Sequence, residues 1–201
     1  IEYHSLHKQE IETLFLEYLL FGGYPAVSLQ YEPKEKVRML KELYTSFVKK
    51  DLYEANIVYE DKFHNLLIIL AGQCGELLNM NELSNTLQMS VKTVKHYIHI
   101  LQKCFHINLV KPYHKNHRKE LTKMPKIFFN DLGLRNSLLK QFQLPKLRTD
   151  RGQIAENYAY IRLRQLYETD NIRFWRTNKG HEIDFIVLPD LSNNFALEIK
   201  Y

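Results

Sequence analysis

The sequence predicts an α+β protein: N-terminal helices, a helix-turn-helix with a two-stranded hairpin, and a last third of one helix and three strands. Three observations carry this. Apolar residues recur at helical spacing from Leu14 to Val48, two further helices flank a polar turn at Gln88-Met89-Ser90, and three alternating runs close the chain. With 201 residues, 45% of them hydrophobic, the chain can build one large core or two to three small ones.

The elements follow in order. Leu14, Phe15, Tyr18 and Leu19 predict a helix over 12–21, stopped by Gly22-Gly23 and followed by an extended Tyr24-Pro25. Pro33 suits the first turn of a long helix, with Glu32 and Glu35 at its positive end. Val37, Leu40, Leu43, Tyr44, Phe47 and Val48 give that helix one apolar face. An apolar helix spans 63–73. Asn79 or Asn81 caps a short helix ending at Leu87, and after the turn Ser90 caps another. Spacings of three and four bury Val91, Val94, Ile98, Leu101 and Phe105 on one side of that third helix. Leu109-Val110 and 127–129 read as the two strands of a hairpin, completing the order of a winged helix-turn-helix.

Asn130 or Asp131 caps a helix through Leu139, and the polar, proline-broken stretch 143–150 reads as a boundary. A helix over 154–167 carries Ile154, Tyr158, Ile161 and Leu166 on one side, and strands are expected at 172–175, 182–188 and 195–201. The chain therefore divides into a helical segment 1–60, a winged helix 61–142 and an α/β unit 143–201.

Composition narrows the function classes. The longest apolar run, 66–71, is far too short to cross a bilayer, and no signal-peptide pattern opens the chain. Two cysteines, Cys74 and Cys104, make no disulfide framework, so a reducing cytoplasmic setting is expected. The phosphate-cradling loop G-x-x-x-x-G-K-[ST] is absent, which excludes a nucleotide site of that kind in this chain.

The formal charge is +5 and is concentrated. From Lys111 to Lys126 there are six basic residues against one acid, Glu120, an excess equal to that of the whole chain. The outer side of the third helix shows Lys92, Thr93, Lys95, His96, His99 and Lys103. Lys92, Thr93, Lys95 and His96 on this helix, with Lys111, Lys115, Arg118 and Lys119 on the hairpin, are the candidate DNA contacts. Helix-turn-helix units also serve as protein-binding modules, and spacing alone leaves that alternative open.

One constellation could carry chemistry. Glu198 and Lys200 lie two apart on the last strand and share a face, while Asp184 sits on the strand before. If these strands are antiparallel neighbours, Asp184 lies near Glu198. Two such carboxylates call for a cation, and Mg²⁺ is the expected guest. A metal bound there acidifies a water and stabilises phosphoryl charge. Lys200 would orient that water, and Glu156 on the preceding helix would add a ligand through water. This is the PD-(D/E)XK pattern, with Asp184, Glu198, Lys200 and Glu156 as catalytic candidates and Asp184 and Glu198 as metal ligands. His181 and Glu182 are expected to alternate off its face. The histidine pairs 96/99 and 114/117, with Cys104, lack the CxxC spacing of a structural zinc site.

Several segments in order resemble a known family. Phe21-Gly-Gly-Tyr-Pro25, the winged helix, Phe129-Asn-Asp-Leu-Gly-Leu134, Arg151-Gly-Gln-Ile-Ala-Glu-Asn157 and Trp175-Arg-Thr-Asn-Lys-Gly-His-Glu-Ile-Asp-Phe185 resemble the C-terminal region of prokaryotic AAA+ superfamily ATPases with a C-terminal domain of unknown function. The resemblance implies a preceding ATPase module, absent from this chain, then a winged helix and a restriction-endonuclease-like domain. The helix and strand that complete that domain after its lysine are also absent, so it is expected to be incomplete. The expected function is a DNA-binding C-terminal region of an ATPase, with a nuclease-like domain of open activity. The alternatives are an active Mg²⁺-dependent deoxyribonuclease and a module coupling the ATPase to a protein partner.

Overall fold

The computed structural model describes residues 7–54, 57, 59–114, 116, 120, 123–177, 179–190 and 193–200, with the backbone alone at 47–49 and 51–54. Among the described residues three helices come first: α1 (Lys8–Phe21), α2 (Pro25–Ser28) and α3 (Pro33–Glu54). α4 (Glu60–Gly72), α5 (Met80–Leu87) and α6 (Val91–Lys103) follow, then β1 (Ile107–Pro112) and β2 (Lys126–Phe129). The last part holds α7 (Leu132–Leu139), α8 (Arg151–Leu166), β3 (Ile172–Arg176), β4 (Glu182–Val187) and β5 (Phe195–Leu197). The fold is α+β, as the sequence predicts. Among the described residues no helix is long and apolar enough to cross a membrane.

The five strands among the described residues join one sheet in the order β2-β1-β3-β4-β5. Its pairs are antiparallel except β1 with β3, which run parallel with Lys111 opposite Arg173 and Pro112 opposite Phe174. The hairpin strands of the helix-turn-helix segment and the C-terminal strands thus pair across the 143–150 stretch. β2 is buried at every position. Its Phe128 stacks on Tyr160 of α8 at 4.7 Å and meets Phe185 of β4 at 5.4 Å, so one aromatic core serves both parts.

Two of the quoted motifs lock together. α1 ends at Gly22, whose φ of 75° is open to glycine, and its N–H returns to the Tyr18 carbonyl. Asp131 caps α7 by accepting from Leu134 N at 2.8 Å, and it also accepts from Gly23 N at 2.7 Å. The Asn136 side chain donates to the carbonyls of Leu19 and Leu20 at 2.9 Å each, satisfying acceptors that the end of α1 would leave bare. Gly133 is required by closeness: a Cβ there would run into the Phe21 carbonyl oxygen.

The helix-turn-helix forms through local caps. Asn79 accepts from Asn81 N and Glu82 N, and Ser90 accepts from Thr93 N. Gln88 takes the left-handed conformation that ends α5. α6 buries Val94, Tyr97, Ile98, Ile100 and Leu101. Phe105, expected on that buried face, is 69% exposed. The helix has ended at Lys103, and Phe105 turns left-handed with φ 58°, which swings its side chain outward. The last strand is also shorter than expected. β5 pairs only 195–197 with 185–187. Beyond it, Ile199 N donates to the Asp184 carboxylate at 2.7 Å instead of to a strand carbonyl.

Candidate functional site

α8 is fixed against β2 by one buried side chain. Asn157 Oδ1 accepts from Phe129 N at 2.8 Å, and Asn157 Nδ2 donates to Phe129 O at 3.0 Å. The Cys74 thiol donates to the same Oδ1. An outer strand's backbone groups need partners, and Asn157 supplies them as a strand would. This clamp turns the preceding residue, Glu156, toward Lys126 on β2. Gly75, with φ 81°, leaves room for it, since a Cβ there would lie 2.9 Å from Glu156 Oε2.

Lys126 is 3% exposed. Its ammonium donates to Glu156 Oε1 at 2.7 Å, contacts the Glu182 carboxylate and lies 5.5 Å from the centre of the Phe174 ring. Arg176 reaches the other oxygen of Glu182 at 3.5 Å. Lys126, Glu156, Glu182 and Arg176 line an open cleft of about 660 Å³ together with Glu76, Asp184 and Glu198. Five carboxylates therefore face two cations, Lys126 and Arg176, leaving three formal negative charges.

The electrostatics follow from this packing. Burial pushes the Glu156 carboxyl up; Lys126 opposes this, Asp184 and Glu182 add to it, and the result is about 7. Burial pulls the Lys126 ammonium down, but its bonds and charge contacts with Glu156 and Glu182 outweigh it, and the net shift is upward.

The structure brings Glu156, Asp184 and Glu198 to one cleft. Lys200 stands apart: it is 82% exposed, and its ammonium is 3.9 Å from Glu198. Glu182, expected off the face, lies on it, because residues two apart on β4 share a side and Asp184 is one of them. That signal was present in the sequence. Lys126 was hidden within the basic run. Its local neighbours, Pro125 and Ile127-Phe128-Phe129, mark a strand start but name no partner for its charge.

A Mg²⁺ ion would have to compete with the partners that these carboxylates already have. Glu156 and Glu182 share the Lys126 ammonium, Asp184 is engaged by Ile199 N–H, and Glu198 faces solvent beside Lys200. Among the described residues no group of three His, Cys, Asp or Glu side chains is placed to hold a metal.

Of the candidate DNA contacts, Lys92, Lys95, His96 and Lys111 are exposed. Thr93 is half-buried, with its N–H tied to Ser90. Lys115, Arg118 and Lys119 lie outside the described residues, as does His117. Glu120, the one acid of that run, pairs with Arg173 of β3 at 2.6 Å, and Tyr113 N donates to Phe174 O. These contacts anchor the hairpin to the C-terminal strands.

Residues 12–144 match the family described as a domain of unknown function, DUF8612, and the chain belongs to that family. Residues 151–201 match a second domain of unknown function, DUF4143. An uncharacterized protein of Haemophilus influenzae is 27% identical over 183 residues, covering 88% of this chain and 43% of the relative. Two uncharacterized proteins of Methanocaldococcus jannaschii are 23% and 26% identical, covering 99% and 98% of this chain and 44% and 42% of their own lengths. The chain thus spans less than half the length of these relatives. No solved structure matches it.

Proposed function

We propose that this chain is a DNA-contacting region of a longer ATPase-family protein, with α6 as the element laid against the duplex and a nuclease-like C-terminal domain of open activity. The observation that carries the reading is the outer face of α6. Lys92, Lys95, His96, His99 and Lys103 are all exposed opposite the buried stripe, and Ser90 caps the end from which Lys92 and Lys95 project. A helix with a free cationic side and a packed apolar side has the chemistry to meet phosphates from a groove. The resemblance in sequence supplies the ATPase part of the reading.

A protein-docking role is the second reading. It is favoured by Leu29 and Tyr31, 79% and 93% exposed between α2 and α3. One experiment separates the two. Fluorescence anisotropy with a labelled duplex is expected to give affinity that falls steeply with salt, and Lys92→Ala/Lys95→Ala should reduce the salt slope by about two. Equal binding by parent and variant, or no binding at low salt, would refute α6 as the DNA contact and leave docking as the better account.

A further inference from the structure

The acidic cleft holds a cation of its own. Lys126 comes from β2, far in sequence from the residues it neutralises, and is buried on a sheet edge clamped by Asn157. Its ammonium joins Glu156 of α8 to Glu182 of β4. A buried cation meeting two carboxylates is held strongly, because removing it strands both charges in a medium poorer than water. The remaining candidate ligands are engaged elsewhere, Asp184 by Ile199 N–H and Glu198 beside Lys200.

We propose that Lys126 is the resident cation of this cleft, occupying between Glu156 and Glu182 the place a divalent ion would otherwise take, so that the cleft is closed to metal while Lys126 stays in position. Lys126, and not Lys200, is then the lysine that governs the cleft. With Lys200 beside Glu198, the five carboxylates meet three cations, and the two formal charges left over repel a phosphodiester unless a further cation enters. The inference does not depend on DNA contact by α6 and stands or falls separately from it.

The test is Mn²⁺ binding to the full chain at pH 8, measured by calorimetry or by the electron paramagnetic resonance of free Mn²⁺. The parent and Lys200→Met are expected to bind Mn²⁺ equally weakly. Lys126→Met should bind it at least about tenfold more tightly, since a cationic competitor has been removed from oxygen ligands. Adding Glu156→Gln to Lys126→Met should abolish the gain, because the ion then loses one of the two carboxylates that flank its place. If Lys126→Met does not fold alone, Lys126→Gln carries the same comparison, because its amide removes the ammonium charge and keeps a donor between Glu156 and Glu182. Tight Mn²⁺ binding by the parent that Asp184→Asn removes would overturn the proposal. So would a folded Lys126 variant that binds no better than the parent.

Discussion

Lys126 on β2 donates to the carboxylate of Glu156 on α8 at 2.7 Å, which joins the helix-turn-helix segment to the C-terminal helix through a nearly buried ion pair. The pair extends to Glu182 on β4, so one ammonium ties three elements together.

Removing that ammonium should be costly. Breaking a buried pair by deleting one partner typically costs about 3–5 kcal/mol, and Lys126→Met is expected in that range in urea unfolding at pH 8. Glu156→Gln in the same background should recover part of the loss, giving a coupling of at least about 1 kcal/mol in the double-mutant cycle. Simple additivity of the two changes would mean that the pair contributes nothing to the fold.

Glu156 also sets a pH dependence. Its carboxyl lies at about 7 in the folded chain against an ordinary 4.5, so the native state holds the proton more firmly than the unfolded one. The resulting stability is fully present below 4.5 and is lost as pH rises through 7, a loss of up to roughly 3 kcal/mol. Asp150 acts in the opposite direction. Burial pushes it up, but hydrogen bonds and charge from Arg148 and Arg135 win and hold it below 3.8. Its contribution is present above 3.8 and fades as pH falls through the lowered value. Denaturant midpoints should therefore peak near pH 4 to 4.5, decline between about pH 4.5 and 7 and level off above that. Glu156→Gln should flatten the decline, and an unchanged slope in that variant would assign it to other groups.

The lock between α1 and α7 makes a steric prediction. A methyl on Gly133 meets the Phe21 carbonyl oxygen, a backbone atom that cannot rotate aside. Gly133→Ala should destabilise the chain by about 1–3 kcal/mol or more, as overpacking of a tight contact does. Gly72→Ala is the control, since a Cβ there meets open space. A melting temperature of Gly133→Ala within a degree of the parent would show that the two motifs are not pressed together.

The sequence by itself determined the local elements, because their signals are local. Asn79, Ser90 and Asp131 cap helices within three residues of their own positions, and the 3.6-residue period placed Val94, Ile98 and Leu101 inside and Lys92 and Lys95 outside. Strand alternation put Glu198 on a face near Asp184, and would have put Glu182 there too. Only the tertiary structure decided that β1 runs parallel to β3, that Phe105 leaves the core, and that Lys126 enters the cleft from which Lys200 is turned away. Periodicity tells which side of an element is buried, but it cannot name the partner across a sheet. The partner of a buried charge is fixed by long-range contacts such as the Asn157 clamp on Phe129, and those exist only once the chain has folded.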